Sequence, residues 1–201
     1  MTDWLQERIA SFTERSFLAL EKESYTYADL NHALASSQRH FKSSGIRPGD
    51  TVLLNGDYTL QGIAALLALF QIKAVVAPVA IDAKNERQER ITAARAQWEV
   101  HSERKLSTQA ISQEEKEPPH PLVEQLKADG EAGLILFSSG STGTPKAMIH
   151  SVKRLLASFE KKRPKELPIL IFLLFDHIGG LNTLFNGLAT GAHLVVPQNR
   201  D

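Results

Sequence analysis

Between Thr51 and Val79 the chain reads TVLLNGDYTLQGIAALLALFQIKAVVAPV. Its middle, Leu60–Phe70, is apolar on nearly all sides. A helix without a polar face has to be enclosed by other elements. The β-branched runs on either side, Thr51–Leu54 and Ala74–Val79, predict strands, the second close to its end because Pro78 cannot donate to a ladder. Strand, buried helix, strand is the pattern of a parallel crossover.

The alternation continues in both directions. Trp4–Phe12 reads as a short amphipathic helix and Phe17–Leu20 as a strand. Thr26, with Asp29 three residues on, predicts a capped helix over Tyr27–Ser43, ended by Gly45 and followed by the turn Pro48-Gly49-Asp50. Glu86–Ala96 reads as a polar helix whose arginines form a solvated face. Ser102–Pro121 is rich in Glu, Lys, Ser and Pro without an apolar period, so it reads as a surface loop and a point of subdivision. A helix near Leu122–Lys127, a strand over Gly133–Phe137 and a helix near Val152–Lys161 follow. Pro164 and Pro168 bracket a second linker. Then come a buried strand over Ile169–Leu174, a helix over Leu181–Leu188 and a last strand over Ala192–Val196. The expected class is α/β, with parallel-sheet layers covered by helices.

Composition removes several functions. Lys+Arg and Asp+Glu both number 23, so no net field favours nucleic acid or an anionic membrane. The chain has no cysteine, which removes thiolate catalysis, disulfides and cysteine metal sites. Its longest apolar runs fall far short of the ~20 residues of a membrane helix. Asp3, Glu7 and Arg8 stand where a signal peptide needs an apolar core. The expectation is a cytoplasmic protein with no membrane span and no nucleic-acid partner.

One segment carries chemistry: SSGSTGTPK, Ser138–Lys146, at the end of an apolar strand. Gly140 and Gly143 allow backbone close to a ligand. Successive N–H groups in such a turn form an anion-binding nest. Ser138, Ser139, Ser141, Thr142 and Thr144 add hydroxyls without bulk, and Lys146 adds a mobile positive charge. The helix expected after it would bring its positive end nearby. Serine-glycine runs are often plain flexible loops, so the order of residues matters. The pattern [ST]-[ST]-G-[ST]-[ST]-G-x-P-K arises by chance in a chain this long on the order of once in a million at average composition.

That order resembles the phosphate-loop signature of the adenylate-forming (AMP-binding) superfamily. Acyl-CoA synthetases, aryl acid ligases, firefly luciferase and the adenylation domains of nonribosomal peptide synthetases belong to it. Ala147 stands where the family most often has glycine. Tyr25–Leu54 resembles the family's opening helix and Gly-x-x-Pro-Gly-Asp turn, and Ala65–Val79 its next helix and strand. Leu174–Val196, LFDHIGGLNTLFNGLATGAHLVV, resembles the segment whose histidine and paired glycines border the acyl pocket. The likeness spans nearly the whole chain but only the N-terminal part of a family member. The family's Tyr-Gly-x-Thr-Glu segment, its later ribose-binding aspartate, hinge and C-terminal domain with its lysine have no counterpart. The chain stops at Pro197–Asp201 without a covering element, which reads as an interruption: an incomplete N-terminal domain over 1–201, inactive alone.

The resemblance implies a two-step reaction. A small carboxylic acid attacks ATP, giving an acyl-adenylate and pyrophosphate. A thiol, of coenzyme A or a carrier pantetheine, then displaces AMP. It implies Mg²⁺ with the ATP, although no metal ligand in this chain is assigned. Ser138, Ser139, Gly140, Ser141, Thr142, Gly143 and Thr144 would hold the phosphates, with Lys146 assisting. His177 would line the acyl pocket with Asp176, Gly179 and Gly180, the two glycines leaving room for substrate. Lys146 and His177 are the candidate catalytic residues. A histidine beside an apolar strand also serves structure, and Asp176 is open between a helix cap and a reader of a substrate amine. His150 reads as a helix-start residue. The alternatives are a fragment of an amino-acid adenylation domain and a non-catalytic phosphate- or nucleotide-binding module. A missing C-terminal portion or a partner chain would complete the enzyme.

Overall fold

The computed structural model of the chain describes residues 2–80, 86–103, 105–112, 119–138 and 145–199. Helix α1 (Asp3–Ser11) precedes the hairpin β1 (Ser16–Leu20) and β2 (Glu23–Thr26), then α2 (Tyr27–Ser44). Next come β3 (Thr51–Gly56), α3 (Leu60–Gln71), β4 (Val75–Ala80), α4 (Arg87–Ala94), β5 (Trp98–His101) and β6 (Ser107–Ala110). After them lie α5 (Pro121–Ala128), β7 (Gly133–Ser138), β8 (Lys146–Ser151) and α6 (Val152–Ala157). The described chain ends with β9 (Pro168–Leu170), α7 (Ile178–Thr190) and β10 (His193–Val196).

These strands form two sheets. One is six-stranded, in the order β6-β5-β3-β4-β7-β8, and its four inner strands are parallel. Both of its edges, β6 and β8, are antiparallel. The other is four-stranded, β2-β1-β10-β9, parallel except for β2. Within the larger sheet the chain moves from β3 to β4 through α3, then turns back past β3 to β5 through α4. Right-handed crossovers in opposite directions place their helices on opposite faces. Side-chain alternation agrees. Val52, Leu54, Val76, Leu134 and Leu136 join the core with α2, α3 and α7. Leu53, Val75, Ala77, Val79 and Ile135 pack on the other face against Ile91 of α4 and Leu126 of α5.

The fully apolar helix is enclosed as its sequence demands: Gly62–Phe70 of α3 are all buried. The larger core holds α3 together with residues of α1, α2, α7, β1 and β10. Pro78 is tolerated inside a central strand because β7 registers with β4 only at Val75 and Val76, so the ladder to β7 has ended before it. Thr26 and Asp29 form the expected capping box, with Thr26 N–H donating to the Asp29 carboxylate at 2.8 Å and Asp29 N–H to the Thr26 hydroxyl at 3.2 Å. Gly45 takes the left-handed conformation, φ 90°, that closes α2.

Three expectations fail. Within Ser102–Pro121, Ser107–Ala110 is not loop but strand β6, held by pairing with β5 although its own sequence is polar. The loop motif runs into a strand, β8, where none was expected, before α6 begins at Val152 as expected. His150 accordingly sits in β8, opposite Leu134, and not at a helix start. Finally, Ile169–Leu174 is not a buried strand. Only Pro168–Leu170 pairs, at a sheet edge, and Leu170 and Phe172 are 55% and 56% exposed. Apolar composition gave no sign of that, because burial depends on a neighbouring element.

The capping box sets a pH dependence. Hydrogen bonds from the Thr26 backbone and side chain hold the Asp29 carboxyl below its ordinary value of 3.8. A carboxyl depressed in the folded state stabilises above its unfolded pKa and loses that contribution as pH falls through the folded one. Asp29→Ala should therefore cost up to about 1 kcal/mol near neutral pH, with solvent screening trimming it. Urea unfolding of both proteins should show the difference shrinking as pH is lowered below 3.8.

Candidate functional site

The β7–β8 hairpin positions the loop motif. Ser138 registers with Lys146 and Phe137 with Ala147. Opposed residues of an antiparallel pair lie about 4.5–5.5 Å apart at Cα. The chain therefore leaves β7 and returns to β8 at nearly the same place, and the loop between is pinned at both ends. Ser139, Gly140, Ser141, Thr142, Gly143 and Thr144 lie outside the described residues. Ser138 is half-buried and Lys146 exposed. The expected positive helix end is not beside this loop. The α6 N-terminus follows Ser151, which pairs with Gly133 at the opposite end of the hairpin.

A second segment meets the hairpin there. Phe137 lines a cleft of about 500 Å³ together with Phe172, Leu173 and Leu174. Asp176, His177 and Arg90 complete its described wall. Residues from β7, α4 and the approach to α7 are thus brought together from three distant parts of the chain. Four of its seven described lining residues are apolar, and Arg90, Asp176 and His177 supply polar groups, the usual composition of a small-molecule pocket.

His177, not Asp176, caps α7. Its Nδ1 accepts the Gly179 N–H at 3.0 Å. In the neutral ring the proton then sits on Nε2, which is left as a donor. Asp176 instead accepts from Arg90 Nη1 at 2.9 Å. Arg90 also donates to Glu86 from Nε and Nη2, at 3.1 and 2.9 Å. Its guanidinium carbon lies 5.2 Å from the centre of the Phe137 ring.

The solvated face expected of α4 holds for its first turn, where Arg87 is 45% exposed, but not for Arg90, whose side chain is 12% exposed. Arg87 bonds Glu99, with Nε 2.8 Å from Oε1. Burial pushes the Glu99 carboxyl up, but the hydrogen bonds and charge of Arg87, aided by His101 and Asn55, hold it below the ordinary range. Arg90 and Phe137 are wall residues that sequence reasoning missed. A signal existed: an aspartate at 176, between apolar Phe175 and the glycine-rich start of a helix, needs a cation when it is half-buried.

Gly179 and Gly180 are not among the residues lining the cleft. A Cβ on Gly179 would lie 2.5 Å from Leu173 Cδ1, and one on Gly180 would meet Tyr58 Oη and, at 2.8 Å, the Leu174 carbonyl oxygen. Here the small residues let α7 pack closely under the loop that forms the wall. Tyr58 braces that loop, donating to the Leu174 carbonyl at 3.2 Å.

A doubly wound sheet whose β7–β8 hairpin carries the loop motif and borders a cleft defines an α/β architecture. The comparisons with known proteins agree. The AMP-binding enzyme family model matches residues 5–201, and the chain belongs to that family. It is 24% identical over 224 residues to the 2-succinylbenzoate–CoA ligase of Bacillus licheniformis, covering 99% of this chain and 45% of that protein. It is 26% identical over 208 residues to the nonribosomal peptide synthetase gliP of Aspergillus fumigatus, covering 90% of this chain and 9% of that protein. Among solved structures, the Klebsiella oxytoca NpsA N-terminal subdomain in complex with 3-hydroxyanthranilyl-AMSN superposes with a TM-score of 0.74. It is 21% identical, over 97% of this chain and 52% of that one. The N-terminal domain of FACL13 from Mycobacterium tuberculosis gives 0.73 at 16% identity, over 98% and 57% of the two chains. The chain spans about half the length of the ligases it matches.

The close approach at Gly180 is testable. Gly180→Ala should destabilise the protein by about 1–3 kcal/mol, the usual cost of overpacking. The atoms it meets include the Leu173 and Leu174 backbone, at 3.0 and 2.8 Å. Urea titration should show a lower midpoint, and an unchanged midpoint would mean that the loop yields without cost.

Proposed function

We propose that the hairpin loop binds the β- and γ-phosphates of ATP and that the adjoining cleft holds a carboxylic acid for activation as its acyl-adenylate. One observation carries this reading: Phe137 both lines the cleft and precedes the loop motif, so phosphate loop and acyl pocket are contiguous. The acid's carboxylate oxygen attacks the α-phosphorus, the bond to the β-phosphate oxygen breaks, and pyrophosphate leaves. A thiol then attacks the acyl carbon and AMP departs. These 201 residues hold no cysteine and supply no thiol of their own; coenzyme A or a carrier pantetheine would provide it.

Each group has a physical task. Bringing a carboxylate to a triphosphate sets like charges together. Backbone N–H groups and hydroxyls of Ser138, Ser139, Gly140, Ser141, Thr142, Gly143 and Thr144 offset that repulsion, as does the Lys146 ammonium. Among the described residues no group of three or more His, Asp or Glu side chains could hold a metal ion. Mg²⁺ fits this reading as a companion of the phosphate oxygens, where it would neutralise their charge. His177 lines the same cleft with Nε2–H left as a donor for the acid. Asp176, with Gly179 and Gly180 behind it, shapes the end of the pocket.

The likeness to a nonribosomal peptide synthetase supports amino-acid adenylation as a second reading. The ion pair between Asp176 and Arg90 favours the first, because that carboxylate is already neutralised and an amine would have to displace a guanidinium. A cytoplasmic setting suits a reaction that consumes ATP and coenzyme A. Among the described residues no helix is long and apolar enough to cross a membrane. The isolated chain is expected to bind phosphate without turning over. Its counterparts for the family's glutamate, aspartate and lysine would come from a further C-terminal portion or a partner chain.

Lys146 is exposed, so trypsin should cut after it. Saturating Mg-pyrophosphate should slow that cut severalfold, and Lys146→Ala should abolish both the cut and most of the pyrophosphate affinity. Cleavage at an equal rate with and without pyrophosphate would count against a phosphate cradle.

A further inference from the structure

The Arg90 side chain is largely withdrawn from water, with 12% of its surface exposed, yet it forms part of the cleft wall. Three of its five N–H donors are engaged, by Glu86 and Asp176. One N–H on each terminal nitrogen remains beyond these bonds. Phe137 backs the guanidinium, and α4 packs beside β8, so the fork is fixed at the hairpin that carries the loop motif. We propose that Arg90 is an anion-binding residue of the cleft, donating its remaining N–H groups to a carboxylate or phosphate oxygen of the reactants, with Asp176 as its positioning residue. This rests on the function proposed above and adds to it a fixed cation beside the mobile Lys146.

The electrostatics decide how such a site works. Asp176 lies in the wall with its side chain 17% exposed, and its charge balances Arg90 at close range. Glu86 is 53% exposed, so water screens most of its repulsion toward an incoming anion. Attraction therefore comes from directed N–H bonds in a partly dry site more than from net charge. A rigid guanidinium fork suits paired oxygens, and a lysine in its place would not reproduce it. Asp176 has opposed effects: it aims the fork and it dilutes the charge.

That opposition gives the test. Binding of two probes to the full chain is measured by titration calorimetry: Mg-pyrophosphate for the phosphate source and benzoate for the carboxylate source. Arg90→Gln should weaken the responding probe tenfold or more, and Arg90→Lys should recover little of it. Asp176→Asn keeps an acceptor for Arg90 Nη1 while removing the negative charge. It should tighten the same probe by threefold to tenfold, even though thermal unfolding shows a loss of stability. A pair with a purely structural role would weaken binding in both variants. The responding probe identifies the source of the oxygen. Unchanged affinity for both probes in Arg90→Gln would overturn the proposal, as would weaker binding by Asp176→Asn or no binding of either probe by the wild type. Should Arg90→Gln not fold, the Asp176→Asn result alone decides. Pyrophosphate protection at Lys146 together with indifference to Arg90 would sink this inference and leave the phosphate loop standing. The reverse pattern would sink the loop and leave Arg90.

Discussion

A helix with no polar face organises this molecule. Gly62–Phe70 of α3 are buried without exception, and such a helix survives in water only if other elements surround it. The six-stranded sheet covers one side. Helices α2 and α7, together with β1 and β10 of the second sheet, close the rest of the same core. Burying a Leu, Ile or Phe side chain is worth roughly 1.5–3 kcal/mol, so this one helix ties both sheets to a common apolar interior. The N-terminal hairpin and the C-terminal α7–β10 unit, far apart in sequence, become neighbours because β1 pairs with β10.

The site follows from that arrangement. Phe137, near the carboxyl end of β7, lines the cleft, and the carboxyl ends of strands are where doubly wound folds place their ligands. The same strand runs into the loop motif at Ser138. Close packing of α7 brings Asp176 and His177 to the same cleft, and it depends on the absence of side chains at Gly179 and Gly180. Charge is then arranged around the opening: Arg87 answers the buried Glu99, and Arg90 answers Asp176. Each ion pair joins α4 to a different neighbour, so this short helix acts as a clasp between the sheet and the cleft wall.

Much of this was legible beforehand. The helix over Tyr27–Ser44 with its capping box, the enclosed helix, the strand before the loop and the helix after His177 could all be read from local spacing. The loop motif was legible because its order of small, hydroxyl and basic residues is improbable by chance. The failures share a cause. Strand β6 is polar and β8 begins with Lys146, so neither shows an apolar alternation, and both are strands because an ordered neighbour offers a ladder. The exposure of Leu170 and Phe172 likewise depends on what lies beside β9.

The sequence by itself determined most local elements, the α/β class and the family likeness of the loop motif, because periodicity, caps and residue order act over a few positions. Tertiary structure alone decided which charges are paired and which side chains share a wall. Arg90 and Asp176 are 86 residues apart, and no spacing rule links them. Their partnership comes from two crossovers of fixed hand and one close-packed helix, which place the end of α4 against the approach to α7. Electrostatic energy depends on distance and burial, and both are set only when the chain has folded.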